Sequence, residues 1–194
     1  MRRYIVAMAA AFAGLLAGSL SARAVTAEDI DILTRKISVG EDGRPLAAAI
    51  PRETVAYTGP HKVGTIIIST TERRMYYILP GNQAVKYGVG VGRPGFEWSG
   101  VKVISRKQEW PDWTPPSQML KRRPDLPRFM PGGINNPLGA RAMYLGSSLY
   151  RIHGSNEPQT IGQAVSSGCI RMTNEDVTDL FERARIGTKV VVLR

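Results

Sequence analysis

The sequence holds one cysteine, Cys169, and only two histidines, His61 and His153. A lone cysteine cannot close an internal disulfide. Two histidines, with no close ligand pair on a helix or knuckle, do not make a zinc site. There is no internal repeat and no low-complexity tract. Gly90, Gly92 and Gly95 match the spacing G-x-G-x-x-G, but Pro94 and the turn residues Trp98, Ser99 and Gly100 stand where a helix would have to begin. Nucleotide binding is therefore set aside. Ser99 and Lys102 match S-x-x-K, yet the S-D-N and K-T-G partners of that motif are missing.

Acids are scarce as well: 16 against 26 basic residues, for a formal net charge of +10. Residues 1–24 contain none. Arg2 and Arg3 precede an uncharged run of apolar or small residues from Tyr4 to Leu20, and Ala22-Arg23-Ala24 offers a small-x-small cleavage site. This is the pattern of a secretory signal peptide, cleaved after about Ala24. A retained membrane anchor is the alternative, and the run is short for a span. Removing Arg2, Arg3 and Arg23 leaves a net charge of +7. A basic exported chain suits an anionic polymer, a cell wall or a membrane surface, rather than nucleic acid. The run Lys121, Arg122 and Arg123 reads as a solvated face, with a polyanion contact as its sharper alternative. Export leads to compartments where disulfides form, so an unpaired thiol there is an intermolecular link or a reactive group, with a buried inert cysteine as the alternative that its glycine-rich setting argues against.

What remains, in 194 residues that are 43% hydrophobic and 22% charged, is enough for one soluble domain with a full core. Residues 25–59 mix charge, Gly and Pro without periodicity and read as an N-terminal tail or linker. From Gly64 the texture is β. Thr65–Thr70 and Arg74–Leu79 form an expected hairpin, Pro80–Asn82 the next turn, and Ala84–Val91 and Gly100–Lys107 two further strands. Residues 110–138 are a long Pro- and Gly-rich excursion with a short basic helix near Gln118–Arg123, of the kind that serves as a lid or wall. Arg141–Leu145 and Leu149–His153 are strands. Thr173 or Asn174 caps a helix whose Val177, Leu180, Phe181 and Ala184 make one buried stripe, ended by Gly187. Lys189–Leu193 is a last strand.

The chemistry gathers in residues 149–172. Cys169 follows Ser166, Ser167 and Gly168, small residues that let a substrate approach the sulfur and leave backbone N–H groups uncovered. A thiol of ordinary pKa, about 8.5, needs a base near neutral pH. His153 lies 16 residues earlier, at the end of a strand, with Gly154, Gly162 and Gly168 giving the chain freedom to fold back. Glu157, Asp176 or a backbone carbonyl are the candidates to orient its ring. A histidine satisfied within the core is the bland alternative. The Cys–His order is the reverse of papain's, so a thiol acyl-transfer enzyme of another lineage is indicated. His61 reads as a solvated loop residue.

His153-Gly154 and Ser166-Ser167-Gly168-Cys169-Ile170-Arg171 resemble the signature of the L,D-transpeptidase catalytic domain, the YkuD family. Gly64–Ile68, Tyr87–Gly92, Trp113–Pro116, Pro131–Gly139 and the segment from Asn174 extend the resemblance, to the family's periplasmic, Gram-negative branch, over residues 60–194. Ser167 stands where many members carry a second histidine, and Trp98–Gly100 replace a Thr-Pro-x-Gly turn. No wall-binding repeat is present.

The resemblance implies a mainly β, sandwich-like fold of mixed sheets with a few short helices, and no cofactor or metal. It implies that Cys169 attacks the third residue of a peptidoglycan tetrapeptide stem and expels D-Ala, with His153 as base and acid. The acyl group would pass to an amine of a second stem, giving a 3→3 crosslink, or to an amine of an outer-membrane protein. Gly168 and Cys169 N–H groups are the expected oxyanion donors. Arg171, Asn156, Ser167 and Gly154 are expected to bind the donor, Arg171 having a structural salt bridge as its alternative. Trp110 and Trp113 are candidates to wall the cleft or to pack the excursion. Carbapenem acylation of Cys169 would follow. The rivals are a hydrolase using water as acceptor and a non-enzymatic basic wall-binding protein.

Overall fold

A computed structural model describes residues 50–194. The expected signal peptide and residues 25–49 of the expected tail lie outside the described residues.

The rest of that tail is not featureless. Strand β1, Glu53–Ala56, pairs antiparallel with β4, Gln83–Gly88. β2, Ile66–Ser69, and β3, Arg74–Leu79, form the expected hairpin. The β3–β4 turn places Gly81 and Asn82 both at positive φ (74° and 56°), the backbone twist that a tight hairpin needs. The expected strand Ala84–Val91 is two elements. β4 ends at Gly88, and β5, Val91–Gly92, pairs with β9, Ala164–Ser166, in a separate two-stranded sheet.

β6, Gly100–Glu109, is the long strand on which the architecture turns. Its first half pairs with β11, Lys189–Leu193; its second half pairs with β7, Arg141–Leu145. The register shifts between Ile104 and Arg106. An irregularity of this kind bends a strand. The nine strands run β1-β4-β3-β2-β11-β6-β7-β8-β10, where β8 is Arg151–His153 and β10 is Ile170–Arg171. Pairs β2–β11 and β8–β10 are parallel and the others antiparallel. This is the mainly β, mixed-sheet fold that the sequence led us to expect.

Both halves of the sheet feed one core. Ile66, Ile68, Met75 and Tyr87 come from one side of the bend, Met143, Leu145, Ile152 and Ile170 from the other, with Ile104 at the bend itself. Helix α1 is Ser117–Arg122 and α2 is Asn174–Arg183. The stripe Val177, Leu180, Phe181 and Ala184 is buried as expected. Thr173 is the cap: its Oγ1 accepts the Asp176 N–H at 3.1 Å. Gly187 does not end α2. Ala184 is already extended, and Lys107 Nζ donates to the Phe181 and Ala184 carbonyls at 2.5 and 2.7 Å. A cation on these orphan carbonyls closes the helix three residues early.

The excursion 110–138 is tied at its neck. Trp113 and Met130 exchange backbone hydrogen bonds at 2.8 Å. Asn136, buried, donates to the Met130 and Pro131 carbonyls and accepts the Leu138 N–H.

Leu180→Ala, which empties a fully buried position of the core, is expected to lower the unfolding free energy by about 2–5 kcal/mol. Glu182→Ala on the exposed face of α2 is expected to change it by about 0.5 kcal/mol or less. Urea unfolding of the two variants side by side checks the pair.

Candidate active site

β8 and β10 pair in parallel, Ile152 opposite Ile170 and His153 opposite Arg171. Neighbours on a strand point to opposite faces. Ile152 and Ile170 enter the core, at 0% and 1% exposure. Arg151 and His153 on one strand, and Arg171 on the other, therefore share the opposite face. Cys169, two residues before Arg171, joins them. All four line one cleft of about 1030 Å³. Ala142, opposite His153 in the ladder, leaves room for the imidazole. The excursion closes the far side with Trp113, Met119 and Met130. Trp110 takes no part in the cleft and packs against Gly132 instead. Arg122 and Arg123, expected on a solvated face, are exposed and also reach the cleft.

His153 is buried, with Nδ1 2.6 Å from the Gly154 carbonyl. A carbonyl oxygen only accepts, so Nδ1 carries the proton and Nε2 keeps its lone pair. Burial, and then the positive charge of Arg171, pull its pKa down to about 3, against the raising effect of the Gly154 hydrogen bond. The Cys169 thiol is pushed up by burial. The charge and hydrogen bonds of Arg151, and the charge of Arg171, work in the other direction. The resting pair is a neutral imidazole and a neutral thiol. Of the three candidate orienters, the backbone carbonyl is the one used. Glu157 pairs with Arg171 at 2.8 Å, and Asp176 lies 3.7 Å from Arg52.

The turn that presents Cys169 is fixed from two sides. Gly168 has φ 103°, a conformation side chains rarely adopt, and a Cβ there would come to 2.6 Å from Tyr150. Tyr150 stacks on Trp98, centroids 4.5 Å apart, and Trp98 Nε1 donates to the Gly168 carbonyl at 2.7 Å. Ser166 Oγ donates to the Cys169 carbonyl and accepts the Gly168 N–H at 3.1 Å. The Gly168 amide, one of the two expected oxyanion donors, is thus engaged within the turn. The Cys169 N–H has no acceptor among the described residues.

Gly154 is buried and off the cleft, its N–H donates to the Arg141 carbonyl, and any side chain there would collide with Asn174 Oδ1. Its carbonyl holds the His153 ring at Nδ1. Ser167 lines the cleft and accepts from Arg93 Nη1 at 3.2 Å. Asn156 lines it too, with Nδ2 donating to the Asn135 carbonyl. Arg171 forms the ion pair with Glu157 that was its alternative reading.

Three features went unread in the sequence. Arg151 stands beside Cys169, although the alternation of a strand ending at His153 placed it on the same face. The Trp98–Tyr150 stack joins residues far apart in sequence. Asn174 Oδ1 accepts the N–H groups of Ala140 (2.9 Å) and Ser155 (3.3 Å), pinning the segment after His153 to that before β7. Nothing local marks that role, since its partners lie 34 and 19 residues away.

A mixed, bent sheet places a thiol and a buried imidazole in one cleft, the residue types of a nucleophilic site. The family model for YkuD, the L,D-transpeptidase catalytic domain, matches residues 63–192. The chain belongs to this family. It is 40% identical over 137 residues to the probable L,D-transpeptidase ErfK/SrfK of Escherichia coli K12, covering 66% of this chain and 43% of that one. The chain therefore spans less than half the length of that relative. Among solved structures it is similar to a Brucella melitensis chain named probable carnitine operon oxidoreductase (44% identity, TM-score 0.50, 74% and 94% of the two chains). It shares its fold with an L,D-transpeptidase from Mycobacterium smegmatis (15% identity, TM-score 0.55, 67% and 58%).

Asn174→Ala leaves the Ala140 and Ser155 N–H groups unpaired and is expected to cost about 1–3 kcal/mol in urea unfolding. A second expectation concerns acid. His153 titrates near 6.5 when unfolded and at about 3 when folded. Unfolding therefore takes up a proton below about pH 6.5, and this share of stability, complete above that pH, is lost as pH falls toward 3. The unfolding midpoint of the native chain should fall more steeply between pH 7 and 4 than that of His153→Gln, as read by thermal melts.

Proposed function

We propose that this chain is a peptidoglycan L,D-transpeptidase of the periplasm, exported by residues 1–24, with residues 60–194 as its catalytic domain. The observation that carries the reading is the shared cleft of Cys169 and His153, with the imidazole neutral and its Nδ1 fixed to the Gly154 carbonyl.

Nε2 takes the thiol proton as Sγ bonds to the carbonyl carbon at the L-centre of the third stem residue. The carbonyl electron pair moves onto oxygen, which the Cys169 N–H faces as donor. Collapse breaks the bond to D-Ala, whose nitrogen takes the proton from His153, and a thioester remains. An acceptor amine then attacks, gives a proton to His153, and expels the sulfur. A side-chain amine of a second stem gives a 3→3 crosslink; an amine of an outer-membrane protein gives an anchored protein.

The cleft favours a carboxylate-bearing peptide over a neutral one. Arg93, Arg122, Arg123, Arg151 and Arg171 line it against one acid, Glu157. With Arg171 Nη1 held by Glu157, its remaining N–H groups are the ones left for a donor carboxylate. Asn156 offers its carbonyl oxygen and one amide N–H, and Ser167 its hydroxyl.

Incubation with purified disaccharide-tetrapeptide, read by mass spectrometry, tests the assignment. The expected product is a dimer lacking one D-Ala, absent with Cys169→Ala and reduced at least about 10²-fold with His153→Ala. Tripeptide plus free D-Ala would mark a carboxypeptidase. D-Ala release only with a protein amine present would mark anchoring. No product from folded protein would favour the wall-binding alternative.

A further inference from the structure

Arg106 stands opposite Tyr144 in the β6–β7 ladder, and Tyr144 opposite Arg151 in the β7–β8 ladder. The β8–β10 register, continued by one residue, brings Arg151 beside Cys169. Arg106, Tyr144 and Arg151 thus run in one row across three strands, and Cys169, just before β10, continues it into the cleft. The Tyr144 ring holds the Arg106 guanidinium at 3.7 Å and that of Arg151 at 5.2 Å. Arg151 Nη1 donates to the Leu149 carbonyl at 3.3 Å, and the Cys169 sulfur meets the same carbonyl at 3.7 Å. Guanidinium and sulfur therefore converge on one oxygen. Arg151 Nε is buried and has no partner among the described residues. A buried donor of this kind is rarely left without an acceptor.

We propose that Arg151 stabilises the negative charge on the Cys169 sulfur, and that Tyr144 is the positioning residue that holds its guanidinium in place. The proposal rests on Cys169 as the nucleophile. That charge arises as the proton passes to His153 and before the S–C bond is complete, and again when the sulfur leaves the thioester. A deprotonated sulfur is a stronger acceptor for the guanidinium, whose Nε has no partner among the described residues. The other charged groups around the sulfur are less free to act. Arg171 is neutralised by Glu157 and Arg123 by Asp125. Arg93 is held by Ser167 and lies over the Phe96 ring, and His153 stays neutral. Arg122, over the same ring, is at the excursion.

The rate of Cys169 alkylation by iodoacetamide, followed from pH 6 to 11 on the full chain, tests this without any peptidoglycan. Arg151→Met is expected to move the titration upward by about one unit, a tenfold slower reaction at a given pH below it. Arg151→Lys, which keeps the charge, should recover part of the shift, and Tyr144→Leu should fall between Arg151→Met and the native chain. Native-like profiles in both Arg151 variants would overturn the proposal, and a native profile in Tyr144→Leu would overturn the positioning role. Should Arg151→Met fail to fold, Arg151→Lys and Tyr144→Leu decide by the same readout. A native thiol inert up to pH 11 would overturn the nucleophile assignment beneath it. Normal alkylation with no stem-peptide product would instead fault the substrate.

Discussion

The parallel pairing of β8 with β10 is the constraint on which the site depends. Ile152 and Ile170 commit one face of the two short strands to the core. Alternation then turns Arg151, His153 and Arg171 to the other face, and the turn held by Ser166 and Trp98 brings Cys169 beside them. A two-residue strand is weak on its own, and β10 is held from both sides. Gly90 and Arg171 exchange backbone hydrogen bonds at 2.9 Å across one edge, and the Met172 N–H reaches the His153 carbonyl across the other. Cys169 precedes the paired residues, so its amide remains outside the ladder.

Burial and charge oppose each other at this face. Enclosure favours neutral His153 and disfavours the thiolate. The same enclosure strengthens the influence of the arginines, because water screens them less. The sulfur is therefore not a freely reactive thiol. In the proposed mechanism its activation depends on the proton acceptor at Nε2 and on cations whose own partners determine how strongly they act. Arg171 is offset by Glu157; Arg151 is not matched by any acid among the described residues.

How far the sequence could be read follows the range of each interaction. The β2–β3 hairpin and the stripe of α2 rest on contacts within a few residues, and both stand as expected. The end of α2 does not, because Lys107 caps it from a distant strand. The sequence does not separate Val91 from the preceding strand: Gly88 and Gly90 give no local stop, and the partner of β5 is β9, more than seventy residues on. At the site, Cys169 and His153 were legible as reactive residue types among small neighbours. The engagement of the Gly168 amide by Ser166 was not, since spacing does not report which N–H is already bonded. Nor does spacing show that the missing side chain of Gly154 makes room for Asn174.

The central claim is that Cys169 carries the acyl group. Acid quenching of the native chain during turnover of a tetrapeptide stem, followed by tandem mass spectrometry of its peptides, tests it most directly. The account predicts an adduct on Cys169 with the mass of the stem less D-Ala, as a thioester released by hydroxylamine. D-Ala release with the adduct on another residue, or with Cys169 unmodified throughout turnover, would contradict it.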